Sequence, residues 1–158
     1  MMKRARTLPI FLFVAASVVF AQQTVQSKAK AGNDASTPVF LHPGDLRWVD
    51  LDPKGAPGIQ IADVSGDHAK GAYSAFLKFP AGFLSPLHTH TYAIKILVVS
   101  GTYTQAPEGK PAQRMGPGSY VFQPNGNYKH VSGCDKASDC VLFIESKGKF
   151  DLLPLASK

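Results

Sequence analysis

Short segments rich in β-branched and aromatic residues, each bounded by Gly, Pro or Asn, are the feature that most restricts how this chain can fold. Fourteen Gly and twelve Pro are spread through 158 residues, so few windows are long enough and regular enough for a helix. The length suits one domain with one hydrophobic core. We therefore predict an all-β sandwich or barrel. Its strands are expected at residues 59–64, 73–79, 94–99, 120–123 and 141–145.

The first 21 residues are organised like a secretory signal peptide. Three basic residues precede an apolar run at 8–20, and Ala21 provides a small residue for cleavage. The run is shorter than the roughly 20 residues that a membrane-spanning helix needs. We expect cleavage after Ala21, export to the periplasm or the medium, and no stable membrane anchor on the mature protein.

Residues 22–38 are small and polar, which is typical of a flexible linker, so the folded domain is expected at residues 39–155. The whole chain has a net charge of +6, from 17 basic and 11 acidic residues. Removal of the three basic residues of the signal peptide leaves 14 against 11, a net charge of +3. The mature sequence has no Lys/Arg cluster with interleaved aromatic residues, so we expect no nucleic-acid partner.

Two histidines separated by one residue, His88 and His90, are the strongest indication of chemistry in the sequence. Alternate residues of a strand point to the same face, so the two imidazoles are expected side by side, as in half of a metal site. His130, from a distant turn-rich segment, is the expected third ligand. Imidazole ligands suit Zn, Fe, Cu or Ni. The alternative interpretation is a pair of surface histidines that bind nothing.

The surroundings of this pair resemble the first motif of the cupin superfamily. That motif has a Gly, the His-x-His pair, a Glu and a second Gly at fixed spacings. Its Glu is absent here, because that position holds Ile94 or, with the alternative spacing, Lys95. The motif residues present are Gly82, His88, His90 and Gly101.

The segment GSYVFQPNGNYKH resembles the second cupin motif. The motif's His arrives one residue late, at His130, and Lys129 takes the expected position. A bulge in the hairpin would turn His130 inward, and without one Lys129 or Tyr128 would face the site. The other motif residues present are Gly118, Pro124 and Gly126.

With the two cysteines and the segment GKFDL, these motifs are similar to the DUF4437-type cupins, many of which are exported. The resemblance covers nearly all of residues 39–152. It implies a double-stranded β-helix, the jelly-roll barrel of cupins, with a small-molecule ligand or substrate in the barrel mouth. It also implies a homodimer.

The missing Glu changes what such a site would bind. A divalent ion held by neutral imidazoles alone keeps its full charge towards the ligand, so anionic ligands are expected. Ile94 is expected beside the ion, and Lys95 is interpreted as a solvated strand residue. Gln123 and Glu145 are alternatives for a replacement oxygen ligand in the pocket, or else polar groups at a sheet edge.

The two cysteines, Cys134 and Cys140, are expected to form a disulfide. Five residues of a turn-rich loop separate them, and export would place them in an oxidising compartment. Two free thiols are the alternative. A zinc site is less favoured, because the pair lacks the usual close spacing.

Two functions from different classes follow from these observations. The first is an exported cupin that binds a divalent transition metal and acts on a small molecule, as a dioxygenase or an isomerase. The alternative is a metal-free module that binds a small ligand or a sugar without catalysis. The missing motif Glu and the displaced His130 favour the alternative, and the framed histidine pair favours the enzyme.

Overall fold

The computed structural model describes residues 37–54 and 56–155. The expected signal peptide, 1–21, and most of the expected linker, 22–38, lie outside the described residues. The described part contains a 3-10 helix, Pro43–Asp45, and eleven strands. The strands are β1 Val49–Asp52, β2 Ala56–Gly66, β3 Tyr73–Phe79, β4 His88–Thr89, β5 Ile94–Ser100, β6 Tyr103–Pro107, β7 Gln113–Met115, β8 Tyr120–Gln123, β9 His130–Cys134, β10 Cys140–Ser146 and β11 Leu153–Pro154.

The strands form two antiparallel sheets. The six-stranded sheet has the order β1-β2-β3-β10-β5-β8, and the five-stranded sheet has the order β11-β4-β9-β6-β7. Strand β10 lies between β3 and β5 although it follows both by many residues, which is the long-range return of a jelly roll. The predicted all-β fold is therefore confirmed as a jelly-roll barrel.

The hydrophobic core lies between the sheets and follows the period of two along each strand. In β3, Tyr73, Ala75, Leu77 and Phe79 are buried while the residues between them are partly exposed. The same alternation in β5 buries Ile94, Ile96 and Val98. A fully buried Val, Leu, Ile or Phe side chain contributes about 1.5–3 kcal/mol.

The outer face of the six-stranded sheet carries a row of apolar side chains. Phe76, Phe143, Leu97 and Tyr120 are register partners on the adjacent strands β3, β10, β5 and β8. Leu97 is 42% exposed and Tyr120 is 61% exposed. The homodimer expected from the sequence stays a prediction.

Two local features hold the ends of the sheets together. Gly101 turns the chain between β5 and β6 with φ +76°, and a Cβ there would lie 2.4 Å from the carbonyl oxygen of Asp139. Cys134, at the end of β9, and Cys140, at the start of β10, form a disulfide with their Cα atoms 5.8 Å apart. Since β9 and β10 belong to different sheets, this bond links the sheets covalently. Among the described residues, no helix is long and apolar enough to cross a membrane.

Candidate metal centre

Three buried histidines meet on the inner side of the five-stranded sheet. His88 in β4 and His130 in β9 are direct register partners, and His90 follows β4 on the same face as His88. One ring nitrogen of each histidine lies within 4.8 Å of those of the other two. The three residues are 1%, 5% and 0% exposed for His88, His90 and His130 respectively. The three histidines that were predicted from the sequence as metal ligands thus lie together in the structure.

His130 faces inward although it comes one residue later than in the cupin motif. The loop at 124–129, between β8 and β9, takes up the extra residue, so β9 begins at His130 itself. Lys129 points outward and forms an ion pair with Glu108 at 3.3 Å. The Tyr128 ring stacks on the His130 ring, with centroids 5.0 Å apart.

Each histidine donates a hydrogen bond from Nδ1 to a backbone carbonyl. His88 donates to Pro86 at 2.8 Å, His130 donates to Tyr128 at 3.1 Å, and His90 donates to Asp151. A carbonyl oxygen only accepts, so in each neutral ring the proton lies on Nδ1 and the lone pair lies on Nε2. Histidine ligands of metals are oriented in this way by their second ring nitrogen.

All three rings are held in the neutral form that binds metal. Burial lowers the pKa of His88, partly offset by the hydrogen bond to the Pro86 carbonyl. Burial, together with the neighbouring His88, lowers the pKa of both His90 and His130 to about 4. Nε2 of His130 is buried and has no hydrogen-bond partner among the residues that the structure describes. These donors fit a divalent transition metal, because a bound ion would give the buried nitrogen its missing partner.

A cavity of about 40 Å³ adjoins His88 and His90. A water needs at least about 10–15 Å³, so the cavity as it stands has room for only a few small atoms. His88, His90, Gln123, Ser85 and Ser132 contribute polar groups to its wall. Most of the remaining wall is apolar: Ile59, Leu77, Phe79, Phe83, Ile94, Ile96, Leu142, Ile144, Phe150 and Leu152.

The four pocket candidates from the sequence divide into two pairs. Ile94 and Gln123 are buried register partners on β5 and β8, and both line the cavity. Gln123 thus lies on β8, the edge strand of the six-stranded sheet, but its side chain is buried against the cavity. Lys95 and Glu145 are about half exposed and form an ion pair at 2.8 Å on the outer face of the same sheet. That position removes Glu145 from the set of replacement oxygen ligands and leaves Lys95 solvated.

A family model described as "Domain of unknown function (DUF4437)" matches residues 18–153. The chain belongs to the DUF4437 family. This DUF4437 protein is also similar in sequence to the dimethylsulfoniopropionate lyase DddQ of Ruegeria pomeroyi, with 33% identity over 63 residues. That match covers 39% of this chain and only 31% of the curated relative.

Solved structures share the fold of this DUF4437 protein. The polyketide cyclase RemF from Streptomyces resistomycificus has a TM-score of 0.62 at 16% identity, covering 77% of this chain and 88% of RemF. KdgF from Halomonas sp. has a TM-score of 0.53 at 24% identity, covering 69% of this chain and 94% of KdgF. DddQ has a TM-score of 0.56 at 20% identity, covering 72% of this chain and 62% of DddQ. At these identities the likeness establishes the cupin fold alone.

Sequence reasoning missed the residues that support the histidines of this DUF4437 protein. The Ser85 hydroxyl lies 3.2 Å from Nδ1 of His88 and accepts a hydrogen bond from the Ser132 backbone N–H at 2.9 Å. The Tyr103 hydroxyl lies 3.0 Å from the Ser132 hydroxyl. A serine three residues before a histidine ligand is too common a pattern to have revealed this network.

The segment after β10 covers the centre from the other side. Phe150 makes an edge contact with His90 at a centroid distance of 5.7 Å. Asp151 accepts from His90 through its carbonyl oxygen and from the Thr91 N–H through its carboxylate, at 2.9 Å for the latter. The GKFDL pattern pointed to the family but carried no sign of this role.

Proposed function

We propose that this DUF4437 cupin binds one divalent transition metal ion through Nε2 of His88, His90 and His130, and acts on a small anionic molecule in the adjoining cavity. The observation that carries the proposal is the common orientation of the rings. Three backbone carbonyls hold the Nδ1 protons, so three basic nitrogens remain in a buried cluster. Within the described part of the chain, Nε2 of His130 has no hydrogen-bond partner.

The ion would supply Lewis acidity towards a ligand oxygen. The chain's own contribution is to hold three neutral imidazoles in place and to exclude water with apolar walls such as Phe150 and Ile94. We favour an isomerase or a lyase over a dioxygenase, because the partial match is to the lyase DddQ.

The metal-free alternative explains the site less well. Three buried imidazoles that turn their lone pairs towards one another repel each other unless a cation or a proton lies between them. The small, mostly apolar cavity also lacks the many polar contacts that a sugar requires. Both features favour a metal centre.

Export to the periplasm or the medium belongs to the same proposal. The disulfide between Cys134 and Cys140 supports it, because such bonds persist in oxidising compartments. The signal peptide expected at residues 1–21 supports it independently. An intact mass of the exported protein that lacks Met1 to Ala21 is the expected result, and an uncleaved cytoplasmic product would contradict it.

The deciding experiment for the metal is a titration of chelator-stripped protein, prepared without a histidine tag, by calorimetry with Zn²⁺. We expect one ion per chain, and a loss of affinity of at least about 100-fold in His88→Ala and in His130→Ala, since each removes one of three ligands. His42→Ala is the matched control, because His42 is exposed and outside the cluster. Absence of binding by the wild-type protein, or full affinity in His88→Ala, would overturn the proposal.

A further inference from the structure

A buried pair of glutamines connects the two sheets beside the histidine centre. Gln105 lies in β6 of the five-stranded sheet and Gln123 lies in β8 of the six-stranded sheet. They are 5% and 2% exposed respectively. Nε2 of Gln105 donates to Oε1 of Gln123 at 2.7 Å. Burying two amides is costly compared with burying aliphatic side chains, and the neighbouring wall residue Ile94 shows that this wall accepts an aliphatic residue.

The bond between the glutamines determines which end of the Gln123 amide is available. Its oxygen accepts from Gln105, so Nε2 is the end of the Gln123 amide that this bond leaves unengaged. Gln123 lines the cavity together with His88 and His90, whereas Gln105 stands behind it. In this orientation the Nε2 group of Gln123 offers its N–H donors to the cavity. Gln105 acts as a positioning residue, because its hydrogen bond fixes the Gln123 amide.

The charge around the cavity matches such a donor. Neither Asp nor Glu is among the described residues that line it. With an ion on three neutral imidazoles, the centre would carry two uncompensated positive charges in apolar surroundings, where an unpaired charge is costly. A ligand that enters must bring negative charge, and an anionic oxygen is also the strongest acceptor for an amide N–H.

We propose that Gln123, positioned by Gln105, is the residue that selects a small carboxylate as the ligand of this centre. The proposal rests on the proposed metal centre and assigns the class of molecule that it binds. The ligand's carboxylate would accept a hydrogen bond from Nε2 of Gln123 while it neutralises the ion. The reverse amide orientation, with Oε1 towards the cavity, would repel a carboxylate and would instead make Gln123 an oxygen ligand of the cation.

The test measures anion affinity and metal affinity separately. Co²⁺-loaded protein is titrated with acetate and with azide, and binding is followed by the visible absorption of Co²⁺. We expect Gln123→Leu to weaken acetate binding at least about 10-fold, as expected for loss of a hydrogen bond to a charged group, and to leave Co²⁺ affinity within about threefold. Gln105→Leu should weaken acetate less, because the donor remains but is no longer oriented.

Gln113→Leu is the matched control, because Gln113 is the exposed register partner of Gln105 on β7. If Gln123→Leu does not fold, Gln123→Met replaces it with an unbranched side chain of similar length. Acetate affinity within twofold of wild type in the Gln123 variant would overturn the inference while leaving the metal centre intact. Loss of Co²⁺ affinity in that variant would also overturn it, because Gln123 would then be a metal ligand. Failure of the wild-type protein to bind Co²⁺ would reject the metal centre itself.

Discussion

His88 and His130 face each other directly across strands β4 and β9, with their ring centroids 4.2 Å apart. His90 joins them from the end of β4, so one sheet holds all three imidazoles. Ile94 and Gln123, which line the cavity, belong to the other sheet. The residues that would bind the ion and the residue that would select its ligand lie in different sheets. Each property can therefore be changed by mutating one sheet without touching the other.

The stability of the metal-free protein should rise with pH between about 4 and 6.5. The folded-state pKa of His90 and of His130 is lowered to about 4, and that of His88 is lowered too, whereas a histidine in the unfolded chain titrates near 6.5. The unfolded state thus binds more protons in this window, and each histidine adds up to about 1.4 kcal/mol per pH unit. Urea unfolding in a chelator at several pH values measures the slope.

The contribution of the histidines to this slope can be isolated by substitution. His130→Phe removes one titrating group and should flatten the curve, while the exposed His42→Ala should leave it unchanged. An unfolding free energy that falls with pH, or equal slopes in wild type and His130→Phe, would show that the rings are not held neutral by burial.

Ile94→Glu should restore the carboxylate that the cupin motif has at this position. A carboxylate on the cavity wall adds a hard oxygen ligand, so affinity for Mn²⁺ should rise at least about 10-fold and azide binding should weaken. Without metal, the variant should be less stable by several kcal/mol, because the carboxylate is buried without a partner. Leu97→Glu, on the exposed outer face of the same strand, is the control. Unchanged metal preference would place Ile94 outside the coordination sphere.

Removal of the disulfide should destabilise the fold without emptying the centre. The bond joins residues six apart, and the chain-entropy model assigns a loop of this size about 2 kcal/mol. Chemical unfolding of the double variant Cys134→Ser, Cys140→Ser should show that loss, with Zn²⁺ affinity within about threefold of wild type. A reductant should reproduce the loss in wild type and have no effect on the variant. Equal stability of the two proteins would contradict the prediction.

Gly101→Ala should be far more damaging than Gly109→Ala. Both glycines have positive φ, +76° and +70°, which costs an alanine about 1–2 kcal/mol. A Cβ at Gly101 would in addition overlap the Asp139 carbonyl oxygen at 2.4 Å, whereas Gly109 has open space. The difference in unfolding free energy between the two variants measures the cost of the steric overlap between the turn at Gly101 and the turn at Asp139. Equal losses would mean that the β9–β10 turn moves away at no cost.

The sequence predicted one half of the barrel much better than the other. All five predicted strands lie in the six-stranded sheet, as β2, β3, β5, β8 and β10. The strands of the five-stranded sheet are short or polar, and they carry two histidines, two glutamines and a serine in place of an aliphatic pattern. Residues chosen for chemistry weaken the periodicity from which strands are recognised. Periodicity therefore missed the sheet that carries the three histidines.

The same reasoning explains which candidate residues were correctly located. Alternation along β4 put His88 and His90 on one face, and the glycine spacing identified them as a pair. Alternation along β10, which buries Leu142 and Ile144, would also have placed Glu145 outside. The orientation of His130 depends on the conformation of the six-residue loop before β9, and the Gln105–Gln123 bond depends on sheet packing. Neither the orientation of His130 nor the bond between Gln105 and Gln123 can be predicted from the spacing of residues along the chain.

The carbonyl that orients His90 comes from Asp151, 61 residues further along the chain, and β11 pairs with β4 through Pro154 and His88. During synthesis or translocation, His88 and His90 therefore emerge well before the segment at Asp151 to Pro154 that contacts them. If the protein crosses a membrane unfolded, it arrives without its ion and loads it on the far side. The metals present in that compartment, rather than those of the cytosol, would then decide which of the four candidate ions the protein carries.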